Sequence, residues 1–416
     1  MTHRFFSDRI HPEPSAAQSV SRRTFLKGAA ASGLGLLAIE QKREAIAALL
    51  SGKQPPDVQG VGVPKGVVRL AFNENPIGAS PKAIQAVLQH QDWMNRYDYT
   101  NDLLAALVTL HQLDIPRVSG FDFKAAGEKH GIILGVGTTE LLQLLALAAL
   151  MPNGETIEAF PSYGQITRVG DELKEAGFPV NAKKVPLRPD GRHDLDGMRN
   201  AITDKTTLVI IANPHNPTGT LLAHDEIVRF VDNVPPRVLV VIDEVYIHFV
   251  RERGYQDFIP LAKERENVIV LRTFSKVYGL GGMRVGYGVA HPKVIKRLAP
   301  FAMGLLSRNT LSIFAAVAAL GDTEHVRRSQ QTVWDGNDYL VKELQTMGFS
   351  AFPSHANFLM IDLKQDTTKI VRQLGAKNVL VRAGGGQWGM PTHIRVSTGT
   401  MDENEAFIGA LRGILA

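Results

Sequence analysis

Ser275-Lys276 is followed by glycines at 279, 281 and 282 and by Arg284. A lysine and a hydroxyl with a guanidinium eight residues on can set an amine beside an anion site. A desolvated lysine with a lowered pKa is a Schiff-base nucleophile. Upstream, Asp243-Glu244-Val245-Tyr246 places an acid directly after five apolar residues, so its carboxylate is at least partly buried and needs a cation or strong donors. Asn213-Pro214-His215-Asn216-Pro217-Thr218-Gly219 is a rigid, sharply turned loop able to hold the Asn216 amide in one orientation. Leu134-Gly135-Val136-Gly137-Thr138-Thr139-Glu140 leads into an apolar helical run, and free N–H groups with small hydroxyls at a helix start form a phosphate cradle. Taken singly, each has an ordinary reading: a surface lysine, a helix cap or metal ligand, an Asx-Pro turn, a helix entry. The glycines at 135 and 137 alone do not make a dinucleotide fingerprint. No His or acid cluster at a familiar metal spacing surrounds Asp243, so no metal is expected.

These clusters need a scaffold. Thr207–Ile211, Val238–Ile242 and Val268–Leu271 are nearly continuous apolar runs, which suits parallel strands covered on both faces. Helical patterns such as Ala223–Val231 separate them. Strand, helix and strand at this spacing predict an α/β domain with a largely parallel sheet, whose carboxyl strand ends collect the chemistry. Helical patterns from Leu311 to Met347, strand-like runs at Ala356–Ile361 and His393–Ser397 and a last helix predict a smaller α+β domain.

Together the clusters ask for one ligand that carries a phosphate, an aromatic ring to pair with an acid and an aldehyde for a lysine. Pyridoxal 5′-phosphate meets all three demands. With Asn216, Asp243, Tyr246, Ser275-Lys276 and Arg284 in this order, the chain from about Val67 onward resembles the fold-type-I, class I/II aminotransferases, and within them the histidinol-phosphate aminotransferase branch. The resemblance implies that Lys276 holds the cofactor covalently and moves the proton between substrate carbon and cofactor carbon. Asp243 is similar to the acid that keeps the pyridine nitrogen protonated. Tyr246 and Asn216 resemble donors to the ring hydroxylate, and Tyr163, in Phe160-Pro161-Ser162-Tyr163-Gly164, the aromatic stacked on the ring. Gly137, Thr138 and Thr139 match the phosphate cradle, joined by Ser275 and Arg284. Tyr97 resembles a tyrosine that reaches the phosphate of a neighbouring subunit, which implies a homodimer with shared active sites.

Toward the C-terminus, Arg395 matches the clamp on the substrate carboxylate or its equivalent, and Arg382 an arginine of substrate recognition, with a surface arginine after a strand as the plainer alternative. Asn73, in Asn73-Glu74-Asn75-Pro76, lies in a stretch that resembles the arm segment closing over the substrate. Three departures bear on specificity: Ile77 stands where the branch usually carries tyrosine, Asp98 follows Arg96-Tyr97 in place of proline, and the stretch after Phe301 lacks the usual pattern. The resemblance implies transfer of an amino group from a small amino donor to an oxo-acid acceptor. A decarboxylase of the threonine-phosphate type shares the cofactor and most motifs, and a non-enzymatic cofactor sensor shares the fold.

The tip reads differently from the body. Ser21-Arg22-Arg23-Thr24-Phe25-Leu26-Lys27 precedes the weakly apolar run Gly28–Ile39, and this resembles a twin-arginine (Tat) export signal, with Ala45-Ile46-Ala47 as a small-x-small cleavage site. A basic turn before an amphipathic helix is the plainer alternative. The expected organisation is a signal over residues 1–47, a linker and arm over 48–75, a large cofactor domain over 76–305 and a small domain over 306–416. Export by the Tat machinery to the periplasm or exterior follows from the signal. With seven Arg/Lys against four Asp/Glu, the tip holds three of the net +5 charges, so the body is near neutral and nucleic acid is not expected. The chain has no cysteine and no uninterrupted run of about eighteen apolar residues, which excludes disulfides and thiol catalysis and argues against a permanent membrane span.

Overall fold

The computed structural model describes residues 58–98, 100–113, 130–303 and 307–416. The export-like tip, the first part of the linker and the expected boundary at 305/306 lie outside the described residues. Strands β1 (Val68–Arg69), β2 (Ile132–Val136), β3 (Glu155–Phe160), β4 (Asn181–Pro186), β5 (Thr206–Ala212), β6 (Leu239–Asp243), β7 (Val268–Thr273) and β8 (Val285–Val289) precede a second group. That group comprises β9 (Ser350–Ala351), β10 (Phe358–Asp362), β11 (Val379–Leu380), β12 (Arg382–Ala383) and β13 (His393–Ser397). The principal helices are α1 (Pro81–Gln89), α2 (Asp102–Leu110), α3 (Gly137–Leu150), α4 (Gln165–Glu175), α5 (His224–Asp232) and α6 (Pro292–Leu298). Those of the C-terminal part are α7 (Thr310–Leu320), α8 (Thr323–Thr346), α9 (Thr368–Ala376), α10 (Gly385–Trp388) and α11 (Met401–Leu415).

The larger sheet runs β2-β8-β7-β6-β5-β3-β4. Its apolar runs are buried on both faces, as parallel strands require. Val209, Ile211, Val240 and Ile242 share a core with Leu103 and Leu107 of α2, Phe230 of α5 and Ile313 of α7. The alternate residues Leu208, Ile210, Leu239 and Val241 pack with Leu141 and Leu145 of α3, Ile166 of α4 and Ile295 of α6. Only β8 runs against its neighbours β2 and β7. That reversal has a consequence for the site. The carboxyl ends of β2, β3, β5, β6 and β7 and the amino end of β8 all fall on one edge of the sheet. The chain reverses its strand order between β3 and β5, which is the switch point where such sheets open a crevice.

The second sheet is antiparallel, in the order β12-β13-β10-β9, and β1 pairs in parallel with β11. Leu359, Ile361, Ile394 and Val396 pack under Leu340 and Leu344 of α8 and Phe407 and Leu411 of α11. The capping box between Thr400 and Glu403 starts α11. The pattern read from Leu311 to Met347 divides into α7 and α8 at Gly321-Asp322, where Asp322 caps α8. α7 sends Ile313, Ala315 and Ala316 into the larger sheet's core, and only the later part of α8 serves the smaller one.

Candidate active site

The shared edge gathers the sequence's clusters around a cavity of about 330 Å³. Thr138, Thr139, Tyr163, Asn216, Asp243, Tyr246, Ser275, Lys276 and Arg284 all line it, with Phe72 and Glu74 from the arm before α1.

Lys276 follows β7 on a turn that the arm clamps. Asn75 donates its amide to the carbonyl of Val277 at 2.8 Å and to Ser329 Oγ at 2.8 Å. Gly279 sits at φ +70°, and a Cβ there would meet the carbonyl oxygen of Gly78 at 1.9 Å, so only glycine lets the two segments cross. The Lys276 Nζ donates to the carbonyl of Asn73 at 3.0 Å and lies 5.5 Å from the centre of the Tyr246 ring. Among the described residues it has no carboxylate within ion-pair distance. Burial, then the positive charge of Arg395, pull its pKa down to about 8.

Asp243 ends β6 with 6% of its surface exposed, and one carboxylate oxygen accepts the N–H of Val245 at 3.2 Å. Burial pushes its pKa up to about 7, with the neighbouring carboxylates Glu244 and Glu158 adding to the rise. No cation among the described residues pairs with it. Tyr246 accepts the amide of Asn73 at 2.9 Å, and burial pushes its hydroxyl up to about 12. Asn216 is held by its turn, where the N–H of Gly219 donates to the carbonyl of His215 at 2.7 Å. Its side-chain oxygen accepts Arg395 Nη1 at 2.7 Å, which leaves the Asn216 N–H groups as its donors toward the cavity.

The anion end is built where β2 meets α3 beside β8. Gly137 opens α3 at φ +71°, and a Cβ there would lie 2.4 Å from Arg284 Nη2. A Cβ on Gly286 would lie 2.6 Å from the backbone nitrogen of Thr138. Both glycines therefore let backbone and guanidinium close on one point. Arg284 is itself left-handed, at φ 56°, and is anchored by donating Nη1 to the carbonyl of Gly281 at 2.8 Å. Ser275 Oγ accepts from Thr273 Oγ1 at 3.0 Å. Helix-start N–H groups, three hydroxyls and a guanidinium converge as a phosphate requires.

Several sequence expectations fall beside the cavity. Arg395, on β13, is 5% exposed; it donates Nη2 to the carbonyl of Ala71 at 3.0 Å and lies 4.8 Å from the centre of the Trp388 ring. Burial lowers its pKa to about 10. Arg382 lies 5.5 Å from the same ring and donates to Gln387 Oε1 at 2.9 Å. Asn73, expected at the substrate, uses its side chain on Tyr246 and on Ser397, whose hydroxyl donates to Asn73 Oδ1 at 3.0 Å. It is thus a brace for Tyr246 and, through its carbonyl, for Lys276. Ile77, flagged as a specificity position, is not among the cavity's lining residues; Phe72 and Glu74 are. Tyr97 is 66% exposed and outside its own chain's cavity, on a segment pinned by Thr310 Oγ1 donating to the carbonyl of Arg96 at 2.6 Å.

Sequence reading passed over Glu158. This carboxylate lies inside β3 and accepts Ser162 Oγ at 2.5 Å, the N–H of Gly164 at 3.1 Å and both the N–H and Oγ1 of Thr167 at 2.9 and 2.6 Å. It thereby fixes the turn that presents Tyr163. A glutamate midway along β3, with hydroxyl residues four and nine positions later, was the available signal. Asn75 and Trp388 were passed over as well, since their partners are distant in sequence.

Residues 65–411 match the family model described as aminotransferase class I and II. The histidinol-phosphate aminotransferase of Moorella thermoacetica is 39% identical over 387 residues, covering 90% of this chain and 93% of that protein. The crystal structure of a putative histidinol-phosphate aminotransferase from Erwinia carotovora atroseptica superposes with a TM-score of 0.75 at 27% identity, covering 84% of this chain and 96% of that one. The Sinorhizobium meliloti histidinol-phosphate aminotransferase in complex with pyridoxal-5′-phosphate gives a TM-score of 0.72 at 24% identity, covering 84% and 92%. At that identity the likeness speaks for the fold.

Proposed function

The chain belongs to the class I and II aminotransferases, and from that premise we propose that it is an exported, homodimeric pyridoxal-phosphate enzyme whose amino donor carries an anionic group, as histidinol phosphate does. One observation carries the reading. Among the described residues, an amine with no carboxylate partner, an acid with no cation partner and a glycine-opened anion cradle meet at one sheet edge around one cavity. Their chemistries fit pyridoxal phosphate group by group. Gly137, Thr138, Thr139, Ser275 and Arg284 would hold its phosphate, Asp243 its ring nitrogen, Asn216 and Tyr246 its ring oxygen, and Tyr163 its face.

Bound there, the cofactor supplies an aldehyde for nitrogen exchange and a ring that withdraws electrons from the substrate's reacting carbon. The chain does the rest. Lys276 Nζ, with a pKa near 8, holds a substantial neutral fraction at neutral pH and so can take and return a proton. Asp243 in its ionised form stabilises a proton on the ring nitrogen. Asn73 orients the Tyr246 hydroxyl, and Glu158 keeps Tyr163 in place. Arg395 and Arg382 present two guanidinium groups to the anionic end of the donor.

Dimerisation draws support from Tyr97, an exposed aromatic away from its own cavity. Mixing Lys276→Ala with Tyr97→Ala subunits should restore activity above either variant alone, since one hybrid site regains both residues; no restoration would refute shared sites. Export draws support from Arg22-Arg23 and the apolar run behind them. Replacing Arg22 and Arg23 with lysine should retain the protein in the cytoplasm, and unchanged fractionation would refute this route.

The activity is tested with protein beginning at Ala48, loaded with pyridoxal phosphate and mixed with single amino donors. Histidinol phosphate should convert the cofactor to its amine form with release of the matching oxo compound. Release of carbon dioxide from a carboxylate-bearing donor, without the amine form, would replace amino transfer by decarboxylation. Conversion by amines that carry no anionic group, and not by histidinol phosphate, would refute the donor class.

A further inference from the structure

Arg382 and Arg395 share an unusual support. Their guanidinium carbons lie 5.5 and 4.8 Å from the centre of one indole, that of Trp388. Neither arginine has a carboxylate within ion-pair distance among the described residues, and Arg395 Nε is buried without a hydrogen-bond partner there. Two cations held against one indole, with no carboxylate among the described residues paired to either, are stabilised by the ring and by whatever anion they receive.

The indole also reaches across the crevice. Trp388 is 2% exposed, and its Nε1 donates to the carbonyl of Ser162 at 3.1 Å. The adjacent Gln387 accepts from Arg382 and donates Nε2 to the carbonyl of Tyr163 at 3.1 Å. Both acceptors belong to the turn that Glu158 holds from the other side. The four-residue helix α10 therefore touches both arginines and the backbone of the cavity's aromatic wall.

We propose that Gln387 and Trp388 are positioning residues that couple occupation of the Arg382–Arg395 pair to the placement of Tyr163. An anionic group drawing the guanidinium groups together moves the indole and amide that hang on Ser162 and Tyr163. Binding at the substrate's remote end is thereby transmitted to the wall of the reacting end. The proposal rests on the reading of the two arginines as the anion site, and its test separates the two.

The cofactor-loaded protein is titrated with inorganic phosphate and, separately, succinate, neither of which supplies an amino group. Visible circular dichroism of the bound cofactor reports Tyr163, and thermal stabilisation by the anion reports affinity. Wild type should give a saturable change in both, and Arg395→Lys should weaken affinity by about tenfold or more. Trp388→Leu should weaken affinity by about tenfold and abolish the dichroism change even at saturation. Trp388→Phe keeps a ring under the guanidinium groups but loses the bond to Ser162, so it should bind within about threefold of wild type with a reduced dichroism change. Gln387→Ala, at an exposed position, should likewise bind normally with a reduced change. If Trp388→Leu does not load cofactor, the latter two variants carry the test.

Full dichroism changes in Trp388→Phe and Gln387→Ala would overturn the coupling while leaving the arginine site standing. A wild type that responds to neither anion would overturn the arginine site and the coupling with it.

Discussion

Gly137→Ala isolates the phosphate cradle from the rest of the site. The added methyl carbon would lie 2.4 Å from Arg284 Nη2 and 3.0 Å from its Cζ, so the guanidinium must withdraw. Its retreat is restricted, because Arg284 is left-handed and tied to the carbonyl of Gly281. Losing one charge-assisted hydrogen bond to the phosphate costs about 1.5–3 kcal/mol, a weakening of roughly 10- to 150-fold in cofactor affinity. A left-handed alanine adds about 1–2 kcal/mol against the fold itself, which thermal unfolding of the cofactor-free protein reads separately. The assay compares equilibrium binding of pyridoxal phosphate with that of pyridoxal, which keeps the aldehyde and ring but has no phosphate. The substitution should weaken pyridoxal phosphate by the stated factor and leave pyridoxal within about twofold, since the lost contact is worth about 1.5 kcal/mol or more only to the phosphate. Equal losses for both ligands, or no loss for either, would refute the assignment of Arg284 and Gly137 to the phosphate.

Three further outcomes follow from burial and charge. With Lys276 near pKa 8 rather than 10.5, roughly a tenth of it is neutral at pH 7, about 300-fold more than an ordinary lysine. Cofactor capture by the cofactor-free protein should accordingly speed up about tenfold per pH unit until about pH 8 and then level; Arg395→Gln should move that break upward, and stopped-flow absorbance checks both. Asp243, raised to about 7 in the folded chain, favours protonation on folding, so it weakens the cofactor-free fold as pH rises from about 4 to about 7. Asp243→Asn should make that form more stable at pH 8, by up to about 4 kcal/mol in chemical unfolding, while turnover by the loaded enzyme collapses. Arg272 pairs with the fully buried Glu244 at 2.7 Å, so Arg272→Met alone should cost about 3–5 kcal/mol; Arg272→Met with Glu244→Leu should recover most of it, as measured by denaturant midpoints.

The sequence disclosed the site where chemistry follows immediately from local order. Apolar runs marked the strands, and a polar residue at each run's end had to lie at the sheet's edge, which located Asn216, Asp243 and Lys276. Arg395, inside the run that became β13, was identified through the family resemblance and not by its place on a strand. What local order does not encode is which polar residue is consumed by another. Asn73 looked free to meet a substrate, yet Tyr246 and Ser397, 173 and 324 residues away, engage its side chain. Trp388 gave no local signal, since its bond to Ser162 spans 226 residues. Ile77 drew notice because it changes a local motif, although the neighbouring Phe72 and Glu74 line the cavity instead. Contacts across the crevice depend on two separately folded surfaces meeting, and no local periodicity records them.

The same surfaces explain why the site is selective for its cofactor as well as receptive. Lys276 is buried with Arg395 and Arg284 among the cations that act on it, so the chain resists a charge on its amine. Asp243 is buried with Glu244 and Glu158, so the chain equally resists a charge on its carboxyl. Left to themselves, both groups are pushed toward neutrality. A ligand with a negative phosphate at Arg284 and a protonatable ring nitrogen at Asp243 opposes both pressures. It neutralises a cation near the lysine and supplies a cation to the acid. A simple aldehyde would relieve neither, and a phosphate alone would relieve only the first. The recognition therefore lies in the pairing of opposed charges at the two ends of one cavity, and this is why the phosphate-free ligand serves as the discriminating probe for the cradle.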